Sequence, residues 1–392
     1  MLMRSNNARV ICGVLIAIAF AAAVSRTLSA QQYTFEEVAS GLKHRDASTR
    51  LRAIQILKDA DYAEAVVPIA AALADPDDRV QLAAIDAERS LFTTRVVPRR
   101  RKVGFVIEVR SVAGGDAAAA GQLALKPRAV PTLVLTQLAV ALRDNNARVR
   151  AEAINLASLL APVPCAHEAA SQACADVGNA LIDNINSRDP FVRRAAMHAL
   201  GQMRYPNAVQ ALSDQFSYWQ EGVDALAALE GLALIGHATS VSIFEEQLTS
   251  ANDGMRRFAV EGLARCGERE LLPVLQKMGQ TEKSASVLLA LHYANVKFGA
   301  DSGSLQPLVA SLATSSHRPA VLGYLLDVAR QAAPLLAESL LKDESADVRR
   351  LVADVLGFSD NMTVVPMLAA ATTDANPDVA AAAQQALERL KL

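Results

Sequence analysis

The chain has 392 residues, 52% of them hydrophobic but only 4% aromatic, so it can bury a large core with few rings in it. Its 39 Lys and Arg stand against 41 Asp and Glu, a net charge of −2. That balance argues against nucleic acid as a partner, because such binding relies on a basic surface that displaces counterions.

The first 30 residues read as an export signal. Arg4 and Arg9 precede an apolar run from Val10 to Val24, and Leu28-Ser29-Ala30 supplies small residues for cleavage after Ala30. The run is 15 residues, short of the roughly 20 a spanning helix needs, although an uncleaved membrane anchor is the alternative. Arg9-Val10-Ile11 does not make Cys12 a lipoprotein cysteine. The expectation is a periplasmic or extracellular protein, more acidic once Arg4, Arg9 and Arg26 are removed.

Thr34-Phe35-Glu36-Glu37 then reads as a capping box opening a short first helix. Beyond it one pattern repeats. Anchors at Thr49, Val80, Val149, Val192, Val223, Met255, Val287, Val321, Val348 and Val379 each open an amphipathic stripe, several of them followed by Arg. In the fourth, Val192, Ala195, Ala196, Ala199 and Leu200 fall on one helix face, with Asp189 as N-cap, Pro190 in the first turn and Gly201 at the stop. Prolines at 68, 131, 273, 307, 334 and 366 open the second helix of a pair, because proline at N1 forfeits no intrahelical bond. The unit is therefore an anchor helix (A), a turn and a proline-opened helix (B). Acids and arginines recur at the turns (Asp46 and Arg50, Asp189 and Arg193, Asp347 and Arg349), where arginine can bond to carboxylates and carbonyls of the adjacent repeat.

A period near thirty means stacked units, none of which can bury its apolar face alone. This pattern resembles the short HEAT repeats of the phycobilisome-lyase type, roughly from Gln32 to the C-terminus, as in exported bacterial-type HEAT proteins. The resemblance implies an all-α fold over 32–392, a right-handed alpha-alpha superhelix of about ten helix pairs. Its extended concave surface should be lined mainly by B helices. The family includes scaffolds, lyases and a hydroxylase, so it implies the fold more firmly than the activity.

Two intervals are long. The surplus at about 93–126 is rich in β-branched residues on both sides of Pro98-Arg99-Arg100-Arg101-Lys102, which reads as a small β-hairpin over 93–112. Ala113-Gly114-Gly115-Asp116 and an alanine tract lead back to Pro131. The tip residues Arg99, Arg100, Arg101 and Lys102 suit an anionic surface, or else they guard strand edges against aggregation. The surplus at 161–175 holds Cys165 and Cys174, a candidate disulfide in an oxidising compartment, with two free thiols as the alternative. Cys266 lies on an A stripe and reads as a buried small hydrophobe.

No catalytic residue, metal ligand or cofactor emerges. His167-Glu168 is followed by Ser171 where the zinc-protease motif needs its second histidine. The deoxyhypusine hydroxylases, which resemble this solenoid, hold two irons through several His-Glu pairs, whereas here His44, His198, His237, His292 and His317 are not followed by Glu. Gly262 and Gly267 have phosphate-loop spacing without the Lys-Ser/Thr that should follow. Tyr218-Trp219 reads either as an exposed aromatic anchor or as filling between repeats four and five. The leading expectation is a non-enzymatic scaffold that grips a protein or extended peptide on its concave face. The alternative is a HEAT-like lyase or a protein related to the metal-dependent hydroxylases.

Overall fold

The computed structural model describes residues 34–93, 123–126, 128–162, 165 and 171–391. The expected signal segment, the tip residues Arg99–Lys102, His167 and Glu168 all lie outside the described residues.

The helices in chain order are α1 (Phe35–Gly41), α2 (Ala47–Ala60), α3 (Val66–Ala70), α4 (Asp78–Phe92), α5 (Thr132–Ala141), α6 (Ala147–Leu160) and α7 (Gln172–Asn184). They continue with α8 (Pro190–Gln202), α9 (Val209–Trp219), α10 (Gly222–Ile235), α11 (Val241–Gln247), α12 (Asp253–Cys266) and α13 (Leu272–Gly279). The last are α14 (Ala285–Lys297), α15 (Leu305–Ser311), α16 (Arg318–Lys342), α17 (Ala346–Leu356), α18 (Val365–Ala371) and α19 (Pro377–Arg389). Among the described residues there is no strand, and the only ladder contact is an isolated antiparallel bridge between Thr93 and Leu125. The hairpin expected over 93–112 falls on residues outside those described, apart from Thr93.

Most A helices start where a short polar side chain captures free amides of the first turn; α10, α14 and α16 start without such a cap. Asp46 accepts from Thr49 N at 2.9 Å, Asp189 from Phe191 N at 2.8 Å and Asn252 from Gly254 N at 2.8 Å. Thr34 and Glu37 close the capping box reciprocally, at 2.9 and 3.3 Å. The A helices pack on one another in sequence, α8 on α10, α10 on α12 and α12 on α14, while the B helices cover their other side. Gly262 of α12 is needed for that packing, because a Cβ there would sit 2.5 Å from the Phe244 ring.

The anchors Val80, Val149, Val192, Val287, Val321, Val348 and Val379 are buried to within 2% exposure. The fifth departs from the expected register. Val223 is 64% exposed, and the buried stripe of α10 runs through Ala225, Ala228, Leu229 and Leu232, so Ala225 is the true anchor. The expected helix start at Pro334 also fails, because α16 runs through it as one 25-residue helix. A proline inside a helix leaves the carbonyl four residues back without its donor. Here that carbonyl, on Arg330, accepts from Asn361 Nδ2 at 3.1 Å, so the proline is tolerated.

Candidate functional site

The turn arginines tie each turn to its own helix and to the next turn in the array. Arg50, Arg150, Arg193, Arg256 and Arg349 all donate to the carbonyl six residues earlier, at 2.8–2.9 Å. Four of them also reach forward to a carboxylate: Asp75 at 2.7 Å, Asp224 at 3.1 Å, Glu282 at 2.8 Å and Asp374 at 2.9 Å. Asp46 and Asp189 are therefore caps and not the partners of Arg50 and Arg193; the carboxylate each arginine needs lies 25 to 31 residues on. The Arg256 guanidinium bonded to Glu282 holds that carboxyl down at about 2.

At repeat four this turn chemistry becomes an aromatic patch. Arg193 lies 4.7 Å from the Trp219 ring centroid, and Arg194 lies 5.3 Å from that of Phe191. Both arginines converge on Asp224, at 3.1 and 3.5 Å. Trp219 is half-buried and donates from Nε1 to Gln215 Oε1 at 3.0 Å, while Tyr218 meets it edge-on with centroids 5.0 Å apart. The exposed members are Tyr218 at 75%, Phe191 at 66% and Val223 at 64%. Left-handed residues at Gln220 (φ 56°) and Gly222 (φ 83°) make the sharp corner that brings the end of α9 beside the start of α10. The two readings of Tyr218-Trp219 thus divide between the residues: Trp219 packs into the junction and Tyr218 is presented to solvent.

A second constellation lies on the A helices. The sixth residue past most anchors is polar: Gln55, Asp86, Asn155, His198, Glu261, Tyr293, Asp327, Asp354 and Gln385. The first three are exposed, but His198, Glu261, Tyr293 and Asp354 are buried. Asp327 of α16 accepts from Arg265 Nε of α12 at 2.8 Å and from Tyr293 Oη of α14 at 2.6 Å, and pairs with Arg204 beyond α8. Lys297 stands 3.9 Å away. Glu261 accepts from Arg257 Nε at 2.7 Å, Arg265 Nη1 at 3.1 Å and Tyr324 Oη at 2.6 Å, and the Tyr293 and Tyr324 rings stack at 4.8 Å.

Burial alone would raise both carboxyls; the surrounding guanidiniums outweigh it and hold Glu261 and Asp327 below the ordinary carboxylate range. Burial pushes both tyrosine hydroxyls up, so they remain donors. This is a charged seam with its acids already engaged, suited to fixing the stack more than to moving protons.

The seam also shows which layer lies inside the bend. Arg265 and Asp327 sit two A helices apart, and Arg204 reaches Asp327 from four helices back. Such side chains can meet only if the A helices line the inner side of the curve between α8 and α16. The expectation that B helices line the concave face is corrected accordingly.

Cys165 and Cys174 are joined by a disulfide with Cα atoms 5.6 Å apart, pinning the start of α7. Cys266 is half-buried and not fully in the core; burial raises its thiol to about 11, and its Sγ lies 3.4 Å from the His237 carbonyl. His198 Nδ1 is 3.7 Å from Glu230 with no third ligand, and among the described residues no three His, Cys, Asp or Glu side chains gather as a metal-binding group. The seam was missed in the sequence, although Arg257, Glu261 and Arg265 recur every fourth residue and so mark a charged helix face.

A family model described as HEAT repeats matches residues 135–233 and 333–392. No curated protein matches significantly. Among solved structures, an engineered protein is 18% identical with a TM-score of 0.41, covering 92% of this chain and 100% of its own. The CpcE–CpcF complex of phycocyanin lyase from a Nostoc species is 17% identical with a TM-score of 0.41, covering 67% of this chain and 97% of its own. Human deoxyhypusine hydroxylase is 16% identical with a TM-score of 0.28, covering 86% of this chain and 99% of its own.

Proposed function

We propose that this HEAT-repeat protein is a non-enzymatic scaffold, exported from the cytoplasm, that grips a protein or an extended peptide. The observation that carries the reading is the exposure of Phe191, Tyr218 and Val223 at one repeat junction, where Arg193, Arg194 and Asp224 link Trp219 to Phe191. Exposed aromatics are among the residue types that dominate interface energy, because they bring large apolar area at low rotamer entropy, and here Phe191 rests on Arg194 and Tyr218 on Trp219. The patch sits at the starts of α8 and α10, both A helices, and so at the rim of the concave layer. A ligand lying along that layer, on a right-handed superhelix, would be anchored there. Export is supported by the arginine-led apolar segment ending at Ala30 and by the Cys165–Cys174 pair, which suits an oxidising compartment. The basic run Arg99–Lys102 would add contact with an anionic surface.

The test selects binders from a library of extended peptides on the purified protein, then compares affinities with the Phe191→Ala/Tyr218→Ala variant. Loss of two anchors at about 1 kcal/mol or more each predicts a weakening of roughly 30-fold or greater. Binding within threefold of the parent would remove the patch from the recognition surface.

A further inference from the structure

Arg389 closes the last A helix, α19, yet its partners belong to the other end of the molecule. Its Nη2 donates to the Leu123 carbonyl at 2.9 Å and to the Leu125 carbonyl at 2.6 Å, across 266 and 264 residues of chain. The 123–126 segment is itself tied to the first two repeats. Lys126 N donates to the Phe92 carbonyl at 2.7 Å, Thr93 bridges to Leu125, and Lys126 Nζ pairs with Asp61, just past α2, at 2.7 Å. Leu123 is buried, and the Arg389 guanidinium lies 4.6 Å from the Phe358 ring centroid. We infer that Arg389 and residues 123–126 form a clasp that closes the superhelix on itself and so limits how far its concave face can open.

The choice of residue fits the task. A guanidinium can serve two backbone carbonyls while stacking on an aromatic face, and a carbonyl acceptor carries no charge that would fix the contact permanently. The clasp is also short of its full complement. Among the described residues Arg389 Nη1 has no hydrogen-bond partner although it is buried, and burial lowers the guanidinium's affinity for its proton. An imperfectly satisfied buried cation costs the closed state free energy, which leaves opening within reach of a ligand that binds the open form better. The consequence for binding rests on the concave-face reading above; the closure itself does not.

Small-angle X-ray scattering of the full protein, with far-UV circular dichroism as the control on folding, tests it without any partner. Arg389→Ala and Arg389→Met should each lengthen the maximum dimension by about 10 Å or more, one interhelical spacing, at parental helicity. Arg389→Met keeps the apolar packing against Phe358 and removes only the donors, so it decides the matter if the alanine variant loses helix. Parental dimensions in a fully helical Arg389→Met protein would overturn the clasp, whatever the peptide-binding experiment returns.

Discussion

Replacing Asp327 by alanine removes one carboxylate from beneath four cationic or phenolic donors, and the cost can be worked from its neighbours. Arg265 is 5% exposed and, among the described residues, would be left with Glu261 as its only ion-pair partner, at 3.1 Å. Breaking a buried pair costs about 3–5 kcal/mol, and the surviving Glu261 contact puts this case near about 3. The buried Tyr293 hydroxyl loses its acceptor, which adds about 1 kcal/mol. Arg204 is 55% exposed and regains water, so it contributes nothing further. The expected loss is about 4 kcal/mol, and it should be local, since repeat arrays couple chiefly to neighbours. Native-state hydrogen exchange would read it as faster opening of α12, α14 and α16, with α2 and α4 unchanged. A second variant, Arg265→Met/Asp327→Leu, should regain most of the loss by replacing the pair with apolar packing. A drop below about 1 kcal/mol in the single variant would mean that the seam carries little of the stability assigned to it.

Asp354 titrates in the opposite sense: burial, opposed by Arg350 and Arg389, pushes its carboxyl up from 3.8 to about 6. A raised carboxyl contributes most stability below 3.8, loses it between 3.8 and about 6, and is constant above. Asp354→Asn should therefore exceed the parent by up to about 3 kcal/mol at pH 7.5 and match it at pH 3; a variant less stable than the parent at pH 7.5 contradicts this. Gly262→Ala drives a Cβ into the Phe244 ring at 2.5 Å and should cost about 1–3 kcal/mol by thermal denaturation. An unchanged melting temperature would show that the helices separate freely there. Cys165→Ser/Cys174→Ser opens a link spanning 9 residues and should cost about 2.5–3 kcal/mol, seen as faster exchange in α7. Parental exchange rates would mean the loop is held by other contacts.

What could be read from the sequence was whatever is local and periodic. A core stripe repeats within one helix, so its helix existence and spacing are visible residue by residue, as at Val192 and Val348. Val223 misled because an apolar residue in a first helical turn looks like an anchor whether or not it faces the core. Pro334 misled for a non-local reason: the carbonyl it frees on Arg330 finds its donor 31 residues away, on Asn361. The seam is not legible in the sequence because its acids and arginines lie on helix faces whose partners are far along the chain. Asp327 finds Arg265 62 residues away and Arg204 123 residues away, and only the curvature of the stack brings them together. The same curvature decides which layer lies inside, and stripe periodicity alone does not encode it. Tyr218 was legible as an anchor candidate; the arginine bridge through Asp224 that joins it to Phe191 was not.

The most direct test of the scaffold reading is a hydrogen-exchange footprint of the protein with a selected peptide bound. A peptide held along the concave layer should add protection on α8, α10 and the A helices that follow, with the corner at Gln220–Gly222 among the most protected segments. Protection confined to the B helices α9, α11 and α13, with that corner unchanged, would contradict it.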